Sequence, residues 1–169
     1  MEAKIEIIKV DIGEKEILRN LIEKYEYEFS QYTNVDLNSM GLYGYDYLDY
    51  YWTEEGRYHF FIKVDNKLAG FVMVGNYMEV FKDAQYSMSE FFIIYKYRRK
   101  GIGTYVAKKV FAMFPGVWEL KRHPLNHSSV VFWDRVINEV TSSKYEMINN
   151  CKQAAYEDGI NAEAFKFTV

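Results

Sequence analysis

The chain has 169 residues, 49% hydrophobic and 27% charged, an ordinary globular balance that excludes the low-hydropathy, high-charge corner where chains stay disordered. Its one cysteine, Cys151, excludes an internal disulfide framework and a cysteine-built zinc site, and fits a reducing compartment. A net charge of -3 argues against a generic nucleic-acid binder; no run approaches the ~18 apolar residues of a membrane span, and Met1 to Val10 alternates charge with apolar residues, unlike a leader, so the expected address is cytoplasmic.

The length predicts one domain over residues 1–169. Lys4 to Val10 alternates like a half-buried strand, and Glu14 to Phe29 carries Ile17, Leu18, Leu21, Ile22, Tyr25 and Phe29 at helical spacing. The stretch to Gly56 is aromatic and acidic, with a short helix expected within Asp46 to Trp52, and reads either as a packed cap or as part of a site. Arg57 to Val64 and Lys67 to Tyr77 form two strands joined by Asp65-Asn66, a hairpin signal. Tyr86 to Ile94 is a strand whose apolar end, Phe91 to Ile94, suits a covered central position. A helix follows over Ile102 to Phe114, stopped by Pro115-Gly116. Then come a short strand at Val117 to Leu120, a helix over Asn126 to Val140, and closing strands at Lys144 to Asn149 and Ala164 to Val169. The pattern is a mixed α/β layer structure without repeats or linkers.

Charge is segregated. From Tyr25 to Gly56 there is no Lys or Arg, while Glu26, Glu28, Asp36, Asp46, Asp49, Glu54 and Glu55 are acidic; from Phe91 to Trp118 the sign reverses, with Lys96, Arg98, Arg99, Lys100, Lys108 and Lys109 and no acid. The first segment suits a cation and the second an anion, although charge runs commonly face water and Lys108-Lys109 read most simply as a solvated helix face.

The sharpest local signal stands at the end of the central strand: Arg98, Arg99, Lys100, Gly101, Ile102, Gly103 and Thr104. Gly101 and Gly103 are expected to let the backbone turn so that successive N–H groups converge, and the helix starting there adds its unsatisfied amides and the positive end of its dipole. Such a cradle fits a diphosphate. The string is neither a Walker A loop nor a Rossmann fingerprint. Its alternative is a glycine-rich turn with solvated basic residues.

These residues resemble the GNAT superfamily of acyl-CoA-dependent N-acetyltransferases, and more narrowly its predicted bacterial members. Arg98, Gly101 and Gly103 fall on the Arg/Gln-x-x-Gly-x-Gly/Ala motif, and the element order is similar over nearly the whole chain. The resemblance implies an α/β (α+β) fold with a mixed, mostly antiparallel sheet of about six to seven strands flanked by helices, acetyl-CoA as cosubstrate and no metal. It implies backbone amides of Arg99, Lys100, Gly101, Ile102, Gly103 and Thr104 on the CoA diphosphate. It also implies Phe92, Ile93 and Ile94 pairing with the pantetheine arm as an added strand. A looser second motif resembles Asn126 to Trp133, bringing in Asn126, Phe132 and Trp133. Trp133 stands where many relatives carry a tyrosine that protonates the leaving thiolate, and an indole N–H does not give up its proton, so another residue or a water must serve. The oxyanion of the reaction is assigned to the amide of Phe92 or Ile93.

Glu90, just upstream, is the leading base candidate, because a carboxylate on a covered strand is costly to ionise; the alternative is a solvated or Arg-paired structural glutamate. The acid-rich segment is the candidate acceptor wall, able to draw in a cationic amine and stack it on aromatic faces. His123 and His127 do not share a helix face because Pro124 intervenes, His59 reads as a satisfied core or edge histidine, and Cys151 is not placed as a nucleophile. No hydrolase elbow is present. The expected activity is transfer of an acetyl group to a primary amine of a small molecule or peptide, without nucleic acid or membrane as partner and with a homodimer as a candidate assembly. The competing readings are a non-catalytic acyl-CoA binder or sensor and an interaction domain built on the aromatic segment.

Overall fold

The computed structural model describes residues 3–169. In chain order they form β1 (Ile5–Lys9), α1 (Lys15–Thr33), α2 (Tyr50–Thr53), β2 (Tyr58–Val64), β3 (Lys67–Gly75), β4 (Tyr86–Ile93), α3 (Ile102–Met113), β5 (Val117–Arg122), α4 (His127–Thr141), β6 (Tyr145–Ala155) and β7 (Asn161–Thr168). The strands make one seven-stranded sheet in the order β1-β2-β3-β4-β5-β7-β6. Its pairing is antiparallel at β1–β2, β2–β3, β5–β7 and β6–β7, and parallel at β4–β5 through Tyr86–Trp118 and Ser87–Glu119. The expected mixed, mostly antiparallel sheet flanked by helices is thus the observed one.

Two compact units divide the chain: the stretch through Gly75 with Ser89–Ile102, and Asn76–Met88 with Gly103–Val169. In the first, the helical stripe of α1 buries Leu18, Leu21 and Ile22 among Leu48, Phe61, Phe71 and Phe92. The helix stops where Asn34 turns left-handed (φ 56°) and donates its N–H to the Ser30 carbonyl at 2.8 Å. Asp65 and Asn66 take φ of 48° and 62°, the two left-handed residues that the expected tight hairpin requires. In the second unit, Phe111 packs edge-on against Trp118 (4.8 Å) and Phe167 (5.3 Å), while Cys151, Ala154, Ala162 and Ala164 form a small-residue core patch.

Two boundaries differ from the sequence expectation for physical reasons. β6 continues to Ala155 and β7 begins at Asn161, beyond the expected Asn149 and Ala164. The polar run Asn149 to Gln153 has weak strand propensity. Antiparallel pairing carries it through two register shifts, with Asn150 left-handed at φ 54°. The expected helix of the aromatic segment shortens to the single turn Tyr50–Thr53.

His59, 1% exposed, approaches the Val10 carbonyl with Nε2 at 3.1 Å, which identifies that nitrogen as the N–H, and Nδ1 has no partner. The expectation of a fully satisfied histidine is therefore corrected to a half-satisfied one. Burial, outweighing the Val10 bond, lowers its pKa below the ordinary 6.5. Because the folded chain resists a proton that the unfolded chain accepts, stability falls as pH drops below about 6.5. Urea midpoints between about pH 7 and pH 5.5 should fall for the natural chain and fall less for His59→Phe.

Candidate active site

Strand β4 carries the first candidates. Glu90 is half-buried in the first unit, and the Tyr45 hydroxyl donates to its Oε1 at 3.1 Å. Tyr45 belongs to the loop after α1, which Glu23 fixes by accepting the N–H groups of Tyr43 (3.0 Å) and Gly44 (2.7 Å). Tyr51 of α2 packs in the same core as Tyr45, and its own pKa is raised, chiefly by burial. Sequence reading singled out Glu90 but not Tyr45, because the two are separated by 45 residues and no periodicity relates them.

Beside Glu90 the backbone is held closely. A Cβ on Gly70 would lie 1.9 Å from the Phe92 carbonyl oxygen, so β3 and β4 approach at a distance only glycine permits. A register shift at Ile62/Lys63 pairs Ile62 with Gly70 and Lys63 with Leu68, a bulge that places Ala69 between them. The Ala69 carbonyl accepts the Ile94 N–H at 2.8 Å, and the Ile94 carbonyl accepts from Tyr97 at 2.9 Å. Both backbone groups of Ile94 are thus engaged within the protein.

Arg98 is likewise occupied. Its Nη1 and Nη2 donate to the two Glu28 oxygens at 2.6 and 2.7 Å, and Nε donates to the Ile93 carbonyl at 2.6 Å. The guanidinium lies over the Tyr95 ring (4.2 Å) and the Phe92 ring (5.5 Å). Burial works against the charge, but the Glu28 bonds and charge outweigh it and raise the Arg98 pKa. The side chain therefore clamps α1 to the chain leaving β4, a partnership the motif did not reveal.

Arg99 and Gly101 are left-handed, with φ of 57° and 78°, immediately before α3 opens at Ile102. Alternating backbone hands turn successive amides toward one side, and the first amides of a helix have no intrahelical partner. No atom lies within 4 Å of a Cβ built on Gly101, so φ rather than space calls for glycine there. Gly103, expected to share the turn, is instead the second residue of α3.

In the second unit, Thr104 Oγ1 accepts from Arg135 Nη2 at 3.0 Å. Asn126 caps α4, its Oδ1 accepting from Ser129 N (3.2 Å) and Ser128 Oγ (3.0 Å). Phe132 packs on Trp133 at 4.7 Å, and Trp133 is 6% exposed, next to Phe111. His123 is buried, with Nε2 3.1 Å from Asp158 and Nδ1 accepting from Leu125 N. Among the described residues no cluster of His, Cys, Asp and Glu suits a metal.

The acid-rich segment is less of an open anionic wall than its composition suggested. Glu28 pairs with Arg98, Glu54 with Arg57 (2.6 Å) and Asp49 with Lys15, whose hydrogen bond holds the Asp49 carboxyl below its usual pKa. A cavity of about 490 Å³ in the first unit is lined by Tyr51, Trp52 and Tyr58 with Glu54, Glu55, Lys9 and Arg57.

The Acetyltransferase (GNAT) family profile matches residues 18–136. The chain belongs to the GNAT acetyltransferase family. No curated protein sequence matches it. Among solved structures, an acetyltransferase from Thermus thermophilus superposes with a TM-score of 0.67 at 10% identity, over 98% of this chain and 97% of that one. The ribosomal L7/L12 alpha-N-protein acetyltransferase RimL, in complex with coenzyme A, gives 0.65 at 13% identity, over 99% and 98%. A Vibrio cholerae spermidine N-acetyltransferase chimera gives 0.64 at 9%, over 97% and 95%. This GNAT chain shares their fold across its length.

Two variants probe the geometry of this GNAT chain. Gly70→Ala should cost ~1–3 kcal/mol in urea unfolding, the usual penalty for overpacking, and should lower kcat through displacement of β4 at Phe92. Glu28→Gln should weaken CoA binding about tenfold by calorimetry and cost ~1–3 kcal/mol of stability, since it removes the charged partner of Arg98 beside the turn.

Proposed function

We propose that this acetyltransferase moves an acetyl group from acetyl-CoA directly onto a primary amine of a small molecule or peptide, as a single catalytic domain without a covalent enzyme intermediate. The observation that carries the reading is the turn from Arg98 to Gly101, with left-handed residues at Arg99 and Gly101 just ahead of the N-terminus of α3. Its backbone fits the cosubstrate's diphosphate, because converging N–H groups and the positive helix end favour a multiply charged anion.

Holding both reactants supplies much of the rate, and the remainder is polarisation and proton transfer. The amine attacks only when neutral, so Glu90, through a water or directly, takes its proton. As the N–C bond forms, negative charge gathers on the thioester oxygen, where the amide of Phe92 or Ile93 donates. The C–S bond then breaks and the thiolate leaves. Trp133 is buried and its indole is not an acid, so the thiolate takes its proton from water.

For the acceptor, the ion pairs that engage Glu28, Asp49 and Glu54 favour recognition by aromatic faces, with Tyr51, Trp52 and Tyr58 around the 490 Å³ cavity as the surfaces for it. A cationic amine is the acceptor class that the acid-rich composition of this segment favours.

Glu90→Gln should reduce turnover by about 100-fold or more near neutral pH while calorimetric CoA affinity is unchanged. Full activity in that variant would dismiss the base assignment. Assay of free thiol with a panel of amines separates the enzyme from a non-catalytic acyl-CoA binder, which would bind CoA and release none.

A further inference from the structure

We infer that Tyr45 is a positioning residue for the acetyl transfer, holding the Glu90 carboxylate in place by the hydrogen bond that its hydroxyl donates. This role rests on the reading of Glu90 as the base. The geometry is a 3.1 Å bond from the Tyr45 hydroxyl to Glu90 Oε1, with Tyr51 in the core that Tyr45 packs against. A carboxylate on a flexible side chain has rotamers to lose, and a fixed donor selects one. An O–H donor also stabilises the charged form over the neutral one.

The surroundings decide which way the proton lies. Tyr45 packs against the core formed by Leu48, Tyr51, Phe71 and Phe92, and its ring meets Tyr47 edge-on at 6.0 Å. Burial first, and the neighbouring Glu90 charge second, raise its pKa far above the ordinary 10. Tyr45 is therefore a donor at any working pH and a poor source of a proton for a departing thiolate. This separates it from the tyrosine acid that Trp133 replaces. The titratable groups acting on the cluster are Tyr51, which also feels Glu90 and Arg57, and Glu26, which acts on Tyr45. Glu26 adds negative charge to this cluster and Arg57 offsets it.

The fold of the loop serves this contact. Glu23 anchors Tyr43 and Gly44 by their amides immediately before Tyr45, and Tyr43 Oη lies 3.1 Å from Ser30 Oγ on α1. Gly44 is left-handed at φ 78°, a conformation that glycine adopts without steric cost.

The test is the pH dependence of kcat/KM for Tyr45→Phe, with CoA titration confirming that the variant folds and binds cosubstrate. Loss of the bond should move the acidic limb to higher pH by about half a unit or more and lower kcat several-fold, with CoA affinity within about twofold of the natural chain. Combined with Glu90→Gln, Tyr45→Phe should cost almost nothing further, because its partner is already neutral. Tyr51→Phe, which alters the polar surroundings of Tyr45 in the core they share, should move the limb the same way by less, and it decides the matter if Tyr45→Phe does not fold. An unmoved limb, a loss uniform across pH, or fully additive effects in the double variant would overturn the role of Tyr45. Full activity of Glu90→Gln alone would instead overturn the base assignment on which it rests.

Discussion

The bidentate pair between Arg98 and Glu28 is the constraint on which the candidate site depends. It spans 70 residues of sequence and fixes the chain just where it leaves β4, one residue ahead of the left-handed Arg99. Charge-assisted, forked bonds of this kind are about twice as strong as neutral ones and fix orientation as well as distance. Here a third bond to the Ile93 carbonyl and the face of Tyr95 remove the remaining freedom of the guanidinium. The anion site proposed at this turn would need its entry held in this way, since each flexible dihedral would disperse the donors.

The same strand is constrained a second time from its other neighbour. Gly70 lets the backbone of β3 come against the Phe92 carbonyl, and the bulge beside it directs the Ala69 carbonyl to Ile94. Glu90 therefore stands on a strand whose position is determined by backbone contact rather than by side-chain packing alone. Tyr45 then fixes the carboxylate itself. The backbone constraint and the side-chain constraint act on consecutive parts of one strand, as the roles proposed for Glu90 and the Phe92 or Ile93 amide require.

The electrostatic picture changes in character between composition and structure. An acid-rich segment without a single Lys or Arg suggests a free anionic surface, yet Lys15, Arg57 and Arg98 reach in from elsewhere in the same unit to neutralise Asp49, Glu54 and Glu28. What the segment presents to the cavity is mixed, with Tyr51 and Trp52 beside Glu54 and Glu55, and Lys9 and Arg57 on the same walls.

The order of elements, the Asp65-Asn66 hairpin, the buried stripe of α1 and the glycine-marked turn before α3 were legible in the sequence, because each is set by local periodicity or by backbone freedom at one or two residues. Glu90 stood out as a lone acid entering an apolar strand end, and its placement on β4 beside Tyr45 is what the structure adds. Gly103 was misread as part of the turn, since a glycine in a helix and a glycine in a loop look alike in a string. The partners of the site residues were beyond local reading: Arg98 with Glu28, Glu90 with Tyr45, Gly70 with Phe92, and the bulged extension of β6. Each joins residues far apart in the chain or compensates a weak local preference by pairing. Local interactions chose the elements of this acetyltransferase, and the packing of those elements decided which charges cancel, which carboxylate is held, and where the backbone comes close enough to exclude any side chain.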